Sequence, residues 1–328
     1  MPRLLRVILT RLVHAVLLLL AVIVVSFSLL SAAPGDAAEV INNLSGGGDE
    51  EFIEQIRQDR GLDRPFLVQL ADYTAGVFRG DLDDSYQYQT PVSDFVINRL
   101  WPTLLLTGSA LFIAIVGGTI LGVYAAQRPT KLSSHLVTGV SLFGFSAPVF
   151  WTGIMLLLVF SSWWPILPTQ GMESLVLEND TWLNRQWDVF KHLVLPALTL
   201  GFLYLAQYSR IARASMLEVL GSDYIRTARA KGLRERLVIY KHGLRNAVIP
   251  VITIAGLQFS QLLSGAIVVE VVYGWPGMGT LAFGAVLTRD APILLGVLIV
   301  STGVVIVVNL LTDLSYRIID PRIRFDRT

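Results

Sequence analysis

The feature that most constrains this chain is a set of long runs without a single Asp, Glu, Lys or Arg. They are Leu12–Gly35 (24 residues), Leu100–Gln127 (28), Leu132–Met172 (41), His192–Ser209 (18), Asn246–Val269 (24) and Ala291–Thr312 (22). A helix that crosses a bilayer needs about 20 apolar residues, and lipid offers its backbone no hydrogen-bonding partner outside the helix itself. The chain of 328 residues is 53% hydrophobic and 16% charged, whereas soluble domains carry about a quarter charged residues. So much apolar surface does not fit inside one soluble core. The expected fold is therefore all-α: a polytopic membrane helical bundle in one transmembrane domain, 1–328. About six spans are expected, near 12–33, 101–127, 133–162, 192–209, 247–269 and 291–312.

The third run is too long for one helix and is broken by Pro148, Pro165 and Pro168, which leaves open a seventh, re-entrant segment. Trp163-Trp164-Pro165 reads as an interfacial aromatic anchor. Arg3, Arg6 and Arg11 precede the first run, as they would in a signal peptide. That run exceeds the roughly 7–15 apolar residues of a signal peptide, so an uncleaved span is expected. The absence of cysteine excludes disulfides, thiolate metal sites and cysteine nucleophiles.

Charge sets the orientation. With the N-terminus inside, the inner segments hold 18 Lys and Arg and the outer ones 8, while acids divide 6 inside and 19 outside. Lys and Arg accumulate in cytoplasmic loops. The long loop 36–99 weighs little in this rule, but the short loops agree, so both termini are expected in the cytoplasm.

Within loop 36–99, Asp49–Arg60 predicts a short helix, with Phe52, Ile53 and Ile56 on one side and acids at its start. Phe66–Phe78 predicts a second amphipathic stretch. These helices lie on the membrane, cap the outer mouth, or pack on their own domain.

The inner segment 210–245 carries nine basic residues and three acids. Asp223 is placed to cap a helix that begins at Tyr224, and Gly232 to end it in a left-handed conformation. Tyr224, Ile225 and Ala228 share one face, and Arg226, Arg229 and Lys231 occupy the rest. Two readings stay open: an interfacial helix held by anionic lipid, or a docking knob for a soluble partner. Arg234–Arg245 predicts a further helix running into the fifth span, bent near Pro250.

Certain stretches are specific enough to name a resemblance. Asp223-Tyr224-Ile225-Arg226-Thr227-Ala228-Arg229-Ala230-Lys231-Gly232-Leu233, followed by His242-Gly243-Leu244-Arg245-Asn246-Ala247-Val248-Ile249-Pro250, closely resembles the cytoplasmic coupling loop of dipeptide and oligopeptide ABC importer permeases. Pro34-Gly35-Asp36, Gly61-Leu62-Asp63-Arg64-Pro65, Arg79-Gly80-Asp81-Leu82 and Phe145-Ser146-Ala147-Pro148-Val149-Phe150 agree with it. So do Glu270-Val271-Val272-Tyr273-Gly274-Trp275-Pro276-Gly277-Met278-Gly279 and Asp320-Pro321-Arg322-Ile323-Arg324. The resemblance covers nearly the whole length and is to the B-type subunit, whose first outer loop is long. Where the wider importer pattern begins Glu-Ala-Ala, this chain reads Arg226-Thr227-Ala228, as in the peptide branch. The second outer loop, Glu173–Trp187, is longer than the pattern.

The resemblance implies a type I ABC importer permease fold in a bacterial or archaeal inner membrane. It implies a heterodimer with a second permease, two cytoplasmic ATPase subunits that bind ATP and Mg, and an extracytoplasmic solute-binding protein. No cofactor is expected on this chain. It has no G-x-x-x-x-G-K-[ST] phosphate loop, so the motor lies elsewhere. Helix 222–232 would sit in an ATPase groove, with Tyr224, Ile225 and Ala228 as docking face and Arg226, Arg229 and Lys231 at the rim. Peptides are the first expectation for the ligand, although such permeases also serve nickel complexes, glutathione and some sugars.

A polar ligand needs a polar path. Gln258, Gln261, Ser264 and Gly265 fall on one stripe of the fifth span, either as pathway lining or as partners in helix–helix hydrogen bonds. Glu270, Tyr273, Trp275, Pro276 and Gly277 mark an outer gate or scoop loop, or else Glu270 bonds to turn amides. Gly117, Gly118 and Gly122 suit close helix packing, and Asn309 and Asp313 face the coupling region or headgroup water. The alternatives are an ion-coupled secondary transporter of small polar solutes and an intramembrane enzyme. The first lacks a pair of acids at mid-span. The second lacks a nucleophile–base cluster, since His14, His135, His192 and His242 are scattered.

Overall fold

The computed structural model describes residues 2–32, 37–44, 46–132, 146–174 and 181–319, with position 176 and some positions from 134 to 144. Pro34-Gly35-Asp36, Phe145, Asp320–Arg324, much of the first half of the expected third span, part of loop 173–187 and the Asp313 side chain lie outside the described residues. In order, the helices are α1 (Pro2–Ser31), α2 (Ala37–Leu44), α3 (Glu50–Asp59), α4 (Phe66–Arg79) and α5 (Val92–Gln127). Next come α6 (Val149–Leu157), widening into a π-helical turn Leu158–Trp163, then α7 (Trp182–Leu220) and α8 (Asp223–Ala230). Then follow α9 (Glu235–Leu237), a second π-helical turn Val238–Gly243, α10 (Leu244–Ala247), α11 (Ile249–Tyr273), α12 (Met278–Thr288) and α13 (Ala291–Ile319).

Among the described residues four helices are long and apolar enough to cross a membrane, within Leu9–Ser31, Val92–Gln127, Trp182–Leu220 and Ala291–Thr312. A fifth arises if Glu235–Gly256 and Gln258–Tyr273, inclined to each other by 56°, count as one bent span. The bend expected near Pro250 falls instead between Gly256 and Gln258; Pro250 lies in the first turn of α11, where its missing N–H leaves no bond unmade. Helices α5 and α7, at 36 and 39 residues, outrun the spans expected within them. A helix does not stop where its apolar residues stop, and the polar flanks Asp94–Arg99 and Trp182–Lys191 continue the same hydrogen-bond ladder.

The chain divides into two compact units, Met1–Pro102 with Pro276–Leu310, and Thr103–Trp275 with Leu311–Thr328. In the first, Ile23, Val92, Val96, Met278, Ile293 and Val297 form the core. The short helices are built as their sequences direct. Asp49 caps α3 by accepting the Phe52 N–H at 3.1 Å. Phe27 of α1 stacks on Tyr73 of α4, with ring centroids 5.6 Å apart. Asp290, fully buried, begins α13. Its carboxylate accepts the Ser85 hydroxyl at 2.5 Å, the Gln87 N–H at 3.2 Å and the Ile293 N–H at 3.4 Å.

In the second unit the packing problem differs from that of a soluble protein. Lipid tails are as apolar as leucine, so helices associate through close contact and polar bonds. Glycine provides the contact here. A Cβ on Gly118 would stand 2.6 Å from Tyr208 Cβ, and one on Gly201 would stand 2.9 Å from the Ala110 carbonyl. One on Gly122 would stand 2.7 Å from Ala212 Cβ and collide with the Ser209 carbonyl. Helices α5 and α7 thus meet backbone to backbone along this seam.

Candidate functional site

The inner segment is organised around α8. Ser222, in extended conformation, precedes it, and its hydroxyl bonds back to the Val219 carbonyl at 2.5 Å, not forward to the helix. The helix starts at Asp223 itself. This corrects the expected capping role: Asp223 lies in the first turn, 3.5 Å from Arg226, where its charge suits the helix dipole. At the other end Gly232 adopts φ +74°. Its N–H bonds to the Arg229 carbonyl at 2.9 Å, and the Leu233 N–H reaches the Ala228 carbonyl at 3.4 Å. That is the Schellman arrangement, which needs a left-handed residue at this position. Arg229 then closes the turn by donating to both oxygens of Glu235, at 3.2 and 2.7 Å. These bonds raise the Arg229 pKa above its ordinary value.

The apolar face of α8 points inward. Ile225 is fully buried and Ala228 nearly so, against Val238, Val219 and Leu220. An eight-residue helix carries one small apolar face, and in this chain the expected docking residues Ile225 and Ala228 are covered by the chain's own next helical turn. Tyr224 is half exposed, and its hydroxyl accepts from Asn246 Nδ2 at 2.8 Å. Outward α8 presents Asp223, Tyr224, Arg226, Thr227, Arg229 and Ala230, followed by the exposed Lys231. Of the three expected rim cations, Arg229 is engaged by Glu235 and Arg226 stands 3.5 Å from Asp223.

The polar stripe of α11 divides into an inner and an outer half. Gln258 is buried and donates to Gln261 Oε1 at 2.6 Å, with the Tyr204 hydroxyl as a further partner. Gln261 and Ser264 are exposed on this chain, and Gly265 is half-buried beside Leu200 and Tyr204. Gln258 thus bonds within the chain, while Gln261 and Ser264 lie at its surface.

At the far end of α11, Glu270, Tyr273 and Trp275 are interior residues. The Thr103 hydroxyl donates to Glu270 Oε1 at 2.7 Å. The Tyr273 hydroxyl lies 2.8 Å from the Thr199 hydroxyl and donates to the Gly153 carbonyl at 3.1 Å. Gly274, at φ +57°, closes the helix, and the Trp275 N–H bonds the Glu270 carbonyl at 2.8 Å. Of the residues expected in a gate loop, Glu270 is bonded to α5 and Tyr273 to α6 and α7. Pro276 and Gly277 lead on into α12. Thr103 and Thr199 as partners of this framework were not foreseen, because each comes from a distant span.

The chain matches two family models. "Binding-protein-dependent transport system inner membrane component" covers residues 118–325, and the N-terminal model of the same transport-system membrane components covers 4–107. The oligopeptide transport system permease protein AppB of Bacillus subtilis is 37% identical over 97% of this chain and 99% of its own length. The glutathione transport system permease protein GsiC of Pectobacterium atrosepticum is 39% identical over 96% and 97%. The dipeptide transport system permease protein DppB of Escherichia coli K12 is 37% identical over 93% and 94%. Among solved structures, a chain of the inward-facing MetNI methionine ABC transporter superposes with a TM-score of 0.53 at 17% identity, over 69% of this chain and 96% of that one.

Proposed function

The chain belongs to the family of binding-protein-dependent transport system inner membrane components, and from that premise we propose how it carries peptides and receives force. Members are multi-pass inner-membrane permease subunits of bacterial ABC importers. They are non-catalytic, and ATP is hydrolysed by partner subunits of a complex that also includes a binding protein. This membership displaces the ion-coupled secondary transporter.

The substrate is a short peptide. Full-length relatives named for dipeptide, oligopeptide and glutathione transport support this, since all three ligands are peptides. A second, different permease chain covers the exposed Gln261 and Ser264, and the polar path runs between the two chains. Two ATPase subunits, holding ATP and Mg, engage from the cytoplasm, where the excess of Lys and Arg supports placing both termini. Glu270 and Tyr273 act as a fixed frame for an outer gate around Pro276 and Gly277.

The observation that carries the coupling role is the two-sided build of α8. Its apolar side is anchored in its own chain through Ile225 and Ala228, and its exposed side is charged. An ATPase groove therefore grips Arg226, Thr227 and Lys231, and Ile225 and Ala228 pass the push into the chain. Gly232 and the Arg229–Glu235 pair hold the helix at a fixed angle. The test is paired reversal in the reconstituted importer. Arg226→Glu with Lys231→Glu should leave the chain folded in the membrane while uptake of a labelled dipeptide falls at least tenfold relative to ATP hydrolysis. Ala228→Glu should instead lower the amount of folded chain, because it places a carboxylate in a packed site. Normal coupled uptake by the double reversal would defeat the docking role.

A further inference from the structure

We propose that a cavity in the first compact unit binds a small zwitterion, with its anionic group on Arg289 and its ammonium on Asp59. The cavity has a volume of about 930 Å³, within the range of about 300–1,000 Å³ usual for small-molecule sites. Its walls come from the end of α1, from α4, from the chain around residues 59–64 and 81–86, and from the junction of α12 with α13. Phe27, Phe66 and Leu294 give it an apolar side.

The charges on the other side are of both signs, and most satisfy one another. Arg64 lies 3.1 Å from Asp72, and Arg60 lies 3.8 Å from Asp83. Asp81 accepts the Asp83 N–H at 3.0 Å. The side chains of Arg289 and Asp59 have no partner among the described residues, though both line the cavity. Tyr73 lines it too, and its hydroxyl is buried with no hydrogen-bond partner among the described residues. Buried polar atoms are rarely left unmatched. Burial, with Asp83 and Tyr86 nearby, raises the Tyr73 pKa, so the phenol keeps its proton and remains a donor.

Arg289 is also strained. It ends α12 at φ +55°, where glycine is the relaxed residue. A guanidinium kept in a backbone conformation that disfavours it, on a cavity whose lining also holds the solvent-exposed, unpaired carboxylate of Asp59, fits a ligand that carries both charges. A peptide with free termini is such a ligand, and this source rests on the peptide reading above. The headgroup of phosphatidylethanolamine presents the same chemistry, an ammonium and a phosphate.

The test uses the purified permease–ATPase complex without its binding protein, in nanodiscs of phosphatidylglycerol with or without phosphatidylethanolamine. Trialanine is the probe for calorimetric titration, and N-acetyl-trialanine amide, which lacks both charges, is the control. Trialanine should bind in phosphatidylglycerol discs, and the blocked peptide should not. Arg289→Gly and Asp59→Asn should each weaken binding at least tenfold. Arg289→Gly should not lower the unfolding temperature, because it relaxes the backbone; a purely structural arginine would not separate the two readouts in this way. Phosphatidylethanolamine retained by the wild type and lost from Arg289→Gly in native mass spectrometry, without trialanine binding, would assign the zwitterion to lipid and support the site. Equal binding of the blocked peptide, equal binding by both variants, or retention of neither probe would overturn it. Peptide import by the complete wild-type system in proteoliposomes is measured alongside: its persistence confines such a failure to the cavity, whereas its absence would reject the peptide reading itself.

Discussion

Asp290 shows what one side chain does in this molecule. Its carboxylate gathers a hydroxyl and a backbone N–H from the strap near residues 85–87 and caps the first turn of α13. Asp290→Ala would remove the cap, worth about 0.5–2 kcal/mol, and orphan buried donors, at about 1–3 kcal/mol for each unsatisfied group. We expect a loss of about 3 kcal/mol, read as a clear drop in the unfolding temperature in detergent, with Asp290→Asn falling between it and the wild type. No local pattern joins Ser85 to a residue 205 positions away, or Thr103 to Glu270 at 167. Sequence periodicity reports which face of an element is apolar. It does not report which distant polar group meets which, so these frameworks emerged only with the fold.

At the scale of elements, the helix 222–232 was legible in detail: its approximate limits, its glycine stop and its single apolar face all follow from residue order. The direction of that face was not. An apolar face of two or three residues is equally consistent with a partner's groove and with the chain's own next turn, and here Val238 on the second π-helical turn supplies the cover. The same geometry ties α8 to α10, just ahead of α11, through the Tyr224–Asn246 hydrogen bond at 2.8 Å. If force travels along that link, Asn246→Ala should reduce dipeptide uptake several-fold per ATP hydrolysed, with Tyr224→Phe matching it and the two together no worse than either alone. A double-mutant cycle in proteoliposomes gives the answer, and strictly additive losses would place the signal elsewhere.

For the molecule as a whole, four of the six charge-free runs overlap helices that are long and apolar enough, among the described residues, to cross a membrane, because bilayer thickness sets a length that sequence must respect. Their ends were less legible, since α5 and α7 continue as helices through polar flanks. Sidedness can be measured directly, because the chain contains no cysteine. Gln58→Cys, on the exposed side of α3, should react with a membrane-impermeant maleimide on intact cells, and Thr227→Cys, on α8, only after the membrane is opened. The reverse pattern would invert the topology. The seam of Gly118, Gly122 and Gly201 has a mechanical consequence. Two main chains in van der Waals contact leave no room for a side chain between them, so a bulkier residue at Gly118, Gly122 or Gly201 would have to wedge α5 away from α7, and the pair is expected to move as one stiff lever only while all three stay small.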